Sequence, residues 1–313
     1  MLSRTADNLY WTGRYMERAE NMARILDVSD RLSVQNRPDK RQSEWNAVLS
    51  ILEARNDYVV RYGDVTARDV LHYLTLDRNN MSSIWSCVRA ARENSRALRA
   101  SISVEMWESL NTTWLSLRDM TIEQLYERGL REFFEWVKER SHLFRGVAHG
   151  TMLHGEGYGF IRMGTFIERA DNTTRLLDTK YYLLGGRDDD TDPAAHYYEW
   201  GAVLRSVGAF RAYHQTYHDV ITPERVAELL VLRPDMPRSL RFCFDRVTQI
   251  LAHAAEGGKH LESERLAGEF AARLRYGQIG PIFKDGLHDF LMEAQDRCAA
   301  VSNQIAKDFM MTV

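Results

Sequence analysis

One pattern occurs twice in this sequence of 313 residues and constrains the fold more than any other feature. Glu-Arg-Ala-acid-Asn-x-x-Arg-x-Leu-Asp covers residues 17–27 and again residues 168–178. Other matches keep the same order at a shift that rises slowly: Glu44-Trp45 with Glu199-Trp200, Ser83-Ile84 with Ser239-Leu240, and Gly129-Leu130 with Gly286-Leu287. Ordered matches at a nearly constant shift indicate an internal repeat. We therefore predict a single domain built of two repeats, residues 1–150 and 151–313.

Proline spacing and hydrophobic periodicity both predict an all-α chain. No proline occurs between Pro38 and Pro193, so this long stretch lacks the residue that breaks helices most strongly. Apolar residues in segments 48–60 and 137–153 recur at spacings of three and four, which is typical of amphipathic helices. We predict an internally duplicated helical bundle of about ten to twelve helices with pseudo-two-fold symmetry.

Local signals place the ends of some of these helices. Thr66 and Thr222 are predicted N-caps, and Pro223 suits the first helical position after the second of them. Polar loops are expected at residues 33–43 and 185–196. The glycine-rich segment HGEGYG at residues 154–159 is expected to be a flexible joint between the repeats.

Composition argues against several function classes. The net charge is −3 without a long basic run, so neither nucleic acid nor a membrane surface is a predicted partner. No apolar stretch approaches the roughly 18 residues that a membrane-spanning helix needs, and we expect a cytoplasmic protein. Cys87, Cys243 and Cys298 form no CxxC pair, so we expect buried, reduced thiols.

Sequence signatures for cofactors and metals are missing as well. The chain has no GxxxxGK[ST] loop and no GxGxxG after a strand, so no nucleotide cofactor is predicted. His214 and His218 have the i, i+4 spacing with which a helix offers two imidazoles to one metal. No third ligand accompanies them, and we predict no metal site.

Polar residues of the repeated pattern lie on one side of each helix. Glu17, Asn21 and Arg24 stand at i, i+4 and i+7, and the second copy repeats them. The candidate residues on and beside these stripes are Arg14, Glu17, Arg18, Asn21, Arg24, Glu168, Arg169, Asn172 and Arg175. One hypothesis is a buried ion network in which the two helices pair across the pseudo-two-fold axis. The other is a binding site for a ligand or a partner.

A second group of candidates occurs in the first repeat alone: Glu93, Asn94, Glu105, Trp107 and Glu108. Glu93 and Asn94 lie inside the segment Arg92–Arg96, which resembles the Glu-Asn-x-x-Arg part of the repeated pattern. The aligned segment of the second repeat, DRVTQIL, lacks these residues. Such asymmetry between repeats is expected either from a specialised binding function or from relaxed packing.

Several long segments resemble the bacterial alpha-E domain family, an all-helical domain named for its Glu-Arg motif. They are RYMERAENMARILDV, SSIWSCVRAARENSRALRASISVEMWE, HGEGYGFIRMGTFIERADNTTRLLD, YYEWGAVLRSVGAFRAY and PRSLRFCFDRV. The resemblance covers nearly the whole chain and identifies Glu17-Arg18 and Glu168-Arg169 as the Glu-Arg pairs. This chain has Tyr158 where the family usually has tryptophan, and an aromatic ring is retained.

The resemblance implies partners more than a reaction. Alpha-E domains accompany a circularly permuted ATP-grasp protein and a transglutaminase-like protease, which suggests a system that forms and trims amide or peptide bonds. The first hypothesis is therefore an accessory or substrate-presenting subunit without catalytic activity of its own. The alternative is a stand-alone helical enzyme of amide or aminoacyl transfer, with Glu17 or Glu168 as acid or base and the arginines binding an anion.

Overall fold

The computed structural model describes residues 2–35, 38–183, 193–255 and 261–309. These residues form helices and no strands, which confirms the all-α prediction. In chain order the helices are α1 (Ser3–Gln35), α2 (Pro38–Ile51), α3 (Arg55–Tyr62), α4 (Ala67–Thr75), α5 (Ile84–Ala97), α6 (Val104–Leu117), α7 (Ile122–Arg128), α8 (Leu130–Thr151), α9 (Glu156–Leu183), α10 (Pro193–Ser206), α11 (Phe210–Tyr217), α12 (Pro223–Val231), α13 (Leu240–Ala254), α14 (Glu262–Tyr276) and α15 (Ile279–Phe309).

The predicted number of helices, ten to twelve, was wrong, because the described residues alone contain fifteen. The difference comes from short helices such as α3, α7 and α11, which have eight, seven and eight residues. Periodicity is judged over windows of about 11–18 residues, so helices this short merge with their neighbours in a sequence-based reading.

The chain divides into two compact units, Met1–Thr165 and Phe166–Val313, and the boundary lies inside α9. The predicted repeat boundary between residues 150 and 151 is a different division and stays a prediction. Each unit has its own core, and the two are described separately below.

Helix α1 is the central element of the first unit. It packs against α5, α8 and α2, and its apolar residues Leu9, Met16 and Leu26 are almost completely buried. Polar residues of the same helix, among them Thr12 and Glu20, are also buried. A helix that is buried on several sides cannot leave its polar groups to water, so these groups need partners within the protein.

The start of α9 lies against α1 within the first unit. A Cβ atom at Gly13 would lie 2.1 Å from the carbonyl oxygen of Ile161, and one at Gly164 would lie 2.0 Å from that of Tyr10. Both positions therefore require glycine, because the two backbones approach too closely for any side chain.

The second unit contains the end of α9 and the helices α10 to α15. In this unit α13 packs against α14, and α14 packs against α15. Helix α15 is interrupted at Gly286, which has φ 121° and ψ 106°. In the first unit, Gly129 with φ 93° stands between α7 and α8. Both breaks use a backbone conformation that side chains disfavour.

Predicted helix starts agree with the structure, whereas the predicted loops were too long. Thr66 and Thr222 are the N-caps of α4 and α12, and each hydroxyl accepts a hydrogen bond from a backbone N–H three residues later. Helix covers most of the loop predicted at residues 33–43, since α1 extends to Gln35 and α2 starts at Pro38. The loop predicted at residues 185–196 lies largely outside the described residues.

The joint predicted at residues 154–159 is also shorter than expected. Helix α8 ends at Thr151 and α9 begins at Glu156, so only residues 152–155 connect them. Gly157 lies inside α9, where a Cβ atom would be 3.3 Å from Cδ1 of Leu9. Gly157 is therefore explained by close packing of α9 against α1, not by a need for a flexible joint. In the described parts of the chain, every helix is too short or too polar to span a bilayer.

Candidate functional site

The first Glu-Arg motif lies where α1 packs against α8. The carboxylates of Glu17 and Glu20, one turn apart on α1, have no exposed surface. One guanidinium nitrogen of Arg145 on α8, Nη1, lies 2.9 Å from Oε2 of Glu17 and 2.5 Å from Oε2 of Glu20. We use the name α1–α8 seam for the charged and hydroxyl groups at this contact: Glu17, Glu20, Arg24, Asp27, Lys138, Ser141, His142 and Arg145.

Additional groups surround the shared guanidinium. Nε of Arg24 donates a 2.8 Å hydrogen bond to Oε1 of Glu20, and Nε2 of His142 lies 3.4 Å from the same oxygen. Arg145 also donates to Oγ of Ser141, whose hydroxyl donates to the carbonyl oxygen of Met16. The side chain of His142 is about half exposed (53%), so the seam meets solvent on this side.

The seam continues one helical turn further along α1. Nζ of Lys138 on α8 lies 3.0 Å from Oδ2 of the buried Asp27 and 2.8 Å from Oε1 of Glu135. Arg31 completes the pairing of Asp27 from the solvent side. Burial raises the pKa of the nearby Asp30 carboxyl, and the negative charge of Asp27 adds to this effect.

This arrangement has the chemistry of a structural ion network. Buried carboxylates remain ionised only when cations and hydrogen-bond donors replace water. In the seam, Glu17, Glu20 and Asp27 each receive at least one cation from α8. The charges of α1 and α8 are thus complementary along their shared face.

The second Glu-Arg motif, in the second unit, has different surroundings. Glu168 and Arg169 are buried, with 5% and 7% of their surface exposed. Nη1 of Arg169 donates a 3.2 Å hydrogen bond to the carbonyl oxygen of Pro237, and the Thr173 hydroxyl donates to that of Arg238. This motif therefore holds the segment that leads into α13.

Residues at the edges of the stripes are less buried. Asn172 and Arg175 are half-buried, and Arg175 pairs with Asp171 at 2.8 Å. On α1, the guanidinium of Arg14 lies 5.2 Å from the ring centroid of Trp11, and that of Arg18 lies 5.9 Å from the ring of Tyr15. Asn21, by contrast, is buried.

Two of the asymmetric candidates of the first repeat, Glu93 and Trp107, meet where α5 packs on α6. Arg92 is ion-paired with Glu93, donates to Oδ1 of Asn111 at 3.2 Å and lies 5.3 Å from the ring centroid of Trp107. The structure thus brings Glu93 and Trp107 together through Arg92. Asn94 is half-buried beside them in sequence, whereas Glu105 and Glu108 are exposed on α6.

Comparison with known proteins decides the family. The family model Alpha-E, described as a predicted alpha-helical domain with a conserved ER motif, matches residues 1–310. This chain belongs to the alpha-E domain family. No solved structure matches it.

Relatives of this alpha-E domain occur in mycobacteria. An uncharacterised protein of Mycobacterium bovis is 27% identical over 319 residues, which cover 93% of this chain and 34% of that protein. An uncharacterised protein of Mycobacterium tuberculosis is 26% identical with the same coverage. The alpha-E domain described here therefore spans about a third of the length of these relatives.

Histidine and cysteine residues of the alpha-E domain do not assemble into a metal site in the described residues. His214 packs against Phe210 on α11, whereas His218 is the C-cap of that helix with φ 50°, so the two imidazoles do not share a continuous helical face. Cys87, Cys243 and Cys298 are buried, as predicted, and none of them forms a disulfide in the described residues.

Two cavities of the alpha-E domain lie away from the seam residues. One of about 410 Å³ is lined by the end of α6 and by α7, including Asp119, Gln124 and Arg128. Another of about 450 Å³ is lined by residues around the start of α15, including Arg233 and Gly277. Neither cavity is lined by a residue of the α1–α8 seam.

Sequence reasoning missed the partners that the seam brings to the first motif. Lys138, His142 and Arg145 stand at i, i+4 and i+7 on α8, which is a basic stripe at helical spacing. Such a stripe complements the acidic positions Glu17 and Glu20, and this complementarity was the available signal. The predicted pairing of the two repeated helices across a pseudo-two-fold axis stays a prediction.

Proposed function

We propose that this alpha-E domain is a non-catalytic accessory module that acts beside an ATP-grasp enzyme of amide or peptide bond formation. This proposal rests on the alignment with the mycobacterial relatives, in which 93% of this chain covers only 34% of each relative's length. In those proteins the domain is accompanied by a much longer stretch of additional chain. A role beside another catalytic component fits this organisation, and the resemblance to alpha-E domains names ATP-grasp proteins as that component.

The chemistry of the α1–α8 seam supports a non-catalytic role for the first motif. A general acid or base must come within hydrogen-bond distance of the proton that it transfers. The Glu17 carboxylate is fully buried and bound by Arg145 at 2.9 Å, so its charge already serves an internal contact. This supports the accessory role over the alternative, an amide- or aminoacyl-transfer enzyme that uses Glu17 as acid or base.

Internal duplication is a further part of the proposal. The helices that follow α1 and α9 have the same order and the same lengths: 14, 8 and 9 residues for α2, α3 and α4, and 14, 8 and 9 residues for α10, α11 and α12. The Tyr58 hydroxyl donates to the carbonyl of Asp64, and the Tyr213 hydroxyl donates to that of Val220. Repeated lengths and a repeated side-chain contact support descent of both units from one ancestral copy.

Co-purification with the circularly permuted ATP-grasp protein of the same organism tests the accessory role. We expect a complex that survives size-exclusion chromatography and a change in the rate of ADP release by the ATP-grasp protein when this chain is added. An unrelated helical protein of similar size serves as the control. Neither complex nor rate change, or amide transfer by the purified chain alone that is lost in Glu17→Gln, would overturn the proposal.

A further inference from the structure

Helix α5 of the first unit carries an unusual row of arginines. Arg89, Arg92 and Arg96 stand at i, i+3 and i+7, which places them on one side of the helix. Arg99 follows directly after the C-cap residue Leu98. Glu93 is the one acidic residue in the segment from Arg89 to Arg99, so this side of α5 is strongly basic although the chain as a whole is acidic.

Two tryptophans hold most of these guanidiniums in place. Arg78 and Arg89 lie 5.0 and 5.5 Å from the ring centroid of Trp85. Arg92 and Arg99 lie 5.3 and 4.3 Å from the ring of Trp107. Cation–π contacts of this kind favour an ordered guanidinium, which lowers the conformational entropy lost when it binds an anion.

Three of the arginines lack an acidic partner in the structure. Arg92 and Arg96 are both ion-paired with Glu93. Within the described residues, Arg78, Arg89 and Arg99 form cation–π contacts and no ion pair, and all three are exposed. Arg78 also donates a 3.5 Å hydrogen bond to the carbonyl oxygen of Arg118. Elsewhere in the chain, exposed arginines such as Arg265 pair with carboxylates.

Helix α13, which has the same place in the helix order of the second unit, does not repeat this surface. In the second unit, Arg241 of α13 and Arg275 of α14 both form ion pairs with Asp245. Arg246 lies 5.0 Å from the ring centroid of Phe242, but its guanidinium donates to Oε1 of Gln249. Helix α13 thus lacks the row of arginines beside tryptophan rings that α5 carries.

We propose that Arg78, Arg89 and Arg99 form a docking surface for an extended acidic segment of a partner protein. Guanidinium forks bind carboxylates through two parallel hydrogen bonds, so unpaired arginines on a fixed support match Asp and Glu side chains. Arg89 and Arg99 are ten residues apart, which corresponds to about 15 Å at the rise of an α-helix. An extended peptide covers this distance with about five residues.

The same geometry disfavours single-stranded nucleic acid as the occupant. Binding of single strands relies on open aromatic faces on which bases stack. Here guanidiniums lie over both tryptophan rings, and Trp85 is buried with 6% of its surface exposed. The inference is independent of the proposed accessory role, because affinity for a peptide is measured without any ATP-grasp protein.

Fluorescence anisotropy with labelled hexaglutamate tests this surface. We expect the wild-type chain to bind hexaglutamate and not hexaglutamine, with affinity that falls as salt is raised. The double variant R89Q/R99Q is expected to bind at least tenfold more weakly. The control is R246Q, which removes an arginine that lies beside an aromatic ring on α13 and is expected to bind like the wild type.

Three results would overturn the docking surface. They are equal affinity for hexaglutamate and hexaglutamine, unchanged affinity in R89Q/R99Q, or tighter binding of a single-stranded RNA octamer than of hexaglutamate. Far-UV circular dichroism confirms that each variant is folded. The single variant R99Q, which leaves α5 itself unchanged, gives the same comparison if the double variant does not fold.

Discussion

Tyrosine hydroxyls bound to carboxylates occur at matching places in the two units. The Tyr62 hydroxyl donates to Oδ2 of Asp77 at 3.0 Å, and the Tyr217 hydroxyl donates to Oε2 of Glu228 at 2.9 Å. Burial, followed by the hydrogen bond to the carboxylate, raises the pKa of both phenols above the ordinary value of 10.0. The neutral phenol is therefore favoured in the folded protein more than in the unfolded chain.

These raised pKa values predict alkaline instability with a definite sign. Their contribution to stability is complete below pH 10 and is lost as the pH rises from there towards the folded pKa, because only the unfolded chain ionises. One proton sets a ceiling of about 1.4 kcal/mol per pH unit on this loss for each tyrosine, and the loss is smaller here because both phenols are partly exposed and water screens the interaction. Urea unfolding at pH 8 to 11 measures the slope, and we expect a shallower slope above pH 10 in Y62F/Y217F. An equally steep slope in that variant would contradict the assignment.

At the scale of elements, the contact between α1 and the start of α9 depends on glycine. Gly13 and Gly164 each lie against a backbone carbonyl of the other helix, as the 2.1 and 2.0 Å distances to a hypothetical Cβ atom demonstrate. Relief of such an overlap requires movement of main-chain atoms, not rotation of a flexible side chain. The helices must therefore separate if either glycine gains a methyl group.

Alanine substitution at two glycines isolates this effect. We expect Gly13→Ala to lower the free energy of unfolding by at least about 2 kcal/mol, because the added methyl group collides with Ile161. Gly146→Ala is the control: no atom lies within 4 Å of its added Cβ on the exposed side of α8, and we expect a gain of about 0.5–1 kcal/mol from helix propensity. Thermal or urea unfolding compares the two, and equal effects would refute the close helix contact.

Elements were predicted from the sequence more completely than contacts. Proline spacing and periodicity predicted helices, and the N-caps Thr66 and Thr222 were placed correctly because capping depends on a few neighbouring residues. Short helices such as α7 were missed because a single turn or two carries little periodic signal. The pairing of Glu17 with Arg145 was missed because it joins residues 128 positions apart.

At the scale of the whole molecule, the sequence indicated the family and the polar residues to examine, while the structure supplied their environment. Residues 1–310 match the alpha-E family model, and the predicted stripe residues Glu17, Asn21, Glu168 and Arg169 are buried. In the first unit Glu17 pairs with Arg145 on α8, and in the second unit Arg169 donates to the carbonyl oxygen of Pro237. Both partners lie outside the repeated motif, so the motif alone did not predict these contacts.

The first Glu-Arg motif supports the fold through the α1–α8 seam. Removal of one member of a buried ion pair leaves the other charge without compensation, which destabilises a protein by about 3–5 kcal/mol. The effects of removing both members are then less than additive. A carboxylate that is free to react with an external substrate would show no such coupling to a neighbouring arginine.

A double-mutant cycle on Glu17 and Arg145 measures this coupling directly. Urea unfolding of the wild type, Glu17→Gln, Arg145→Gln and the double variant gives four free energies of unfolding. We expect Arg145→Gln to be destabilised by about 3 kcal/mol, and Glu17→Gln by less, because Arg145 still pairs with Glu20. The double variant is expected to lose less than the sum of the two. Single variants as stable as the wild type, or strictly additive losses, would contradict a structural ion network at the first Glu-Arg motif.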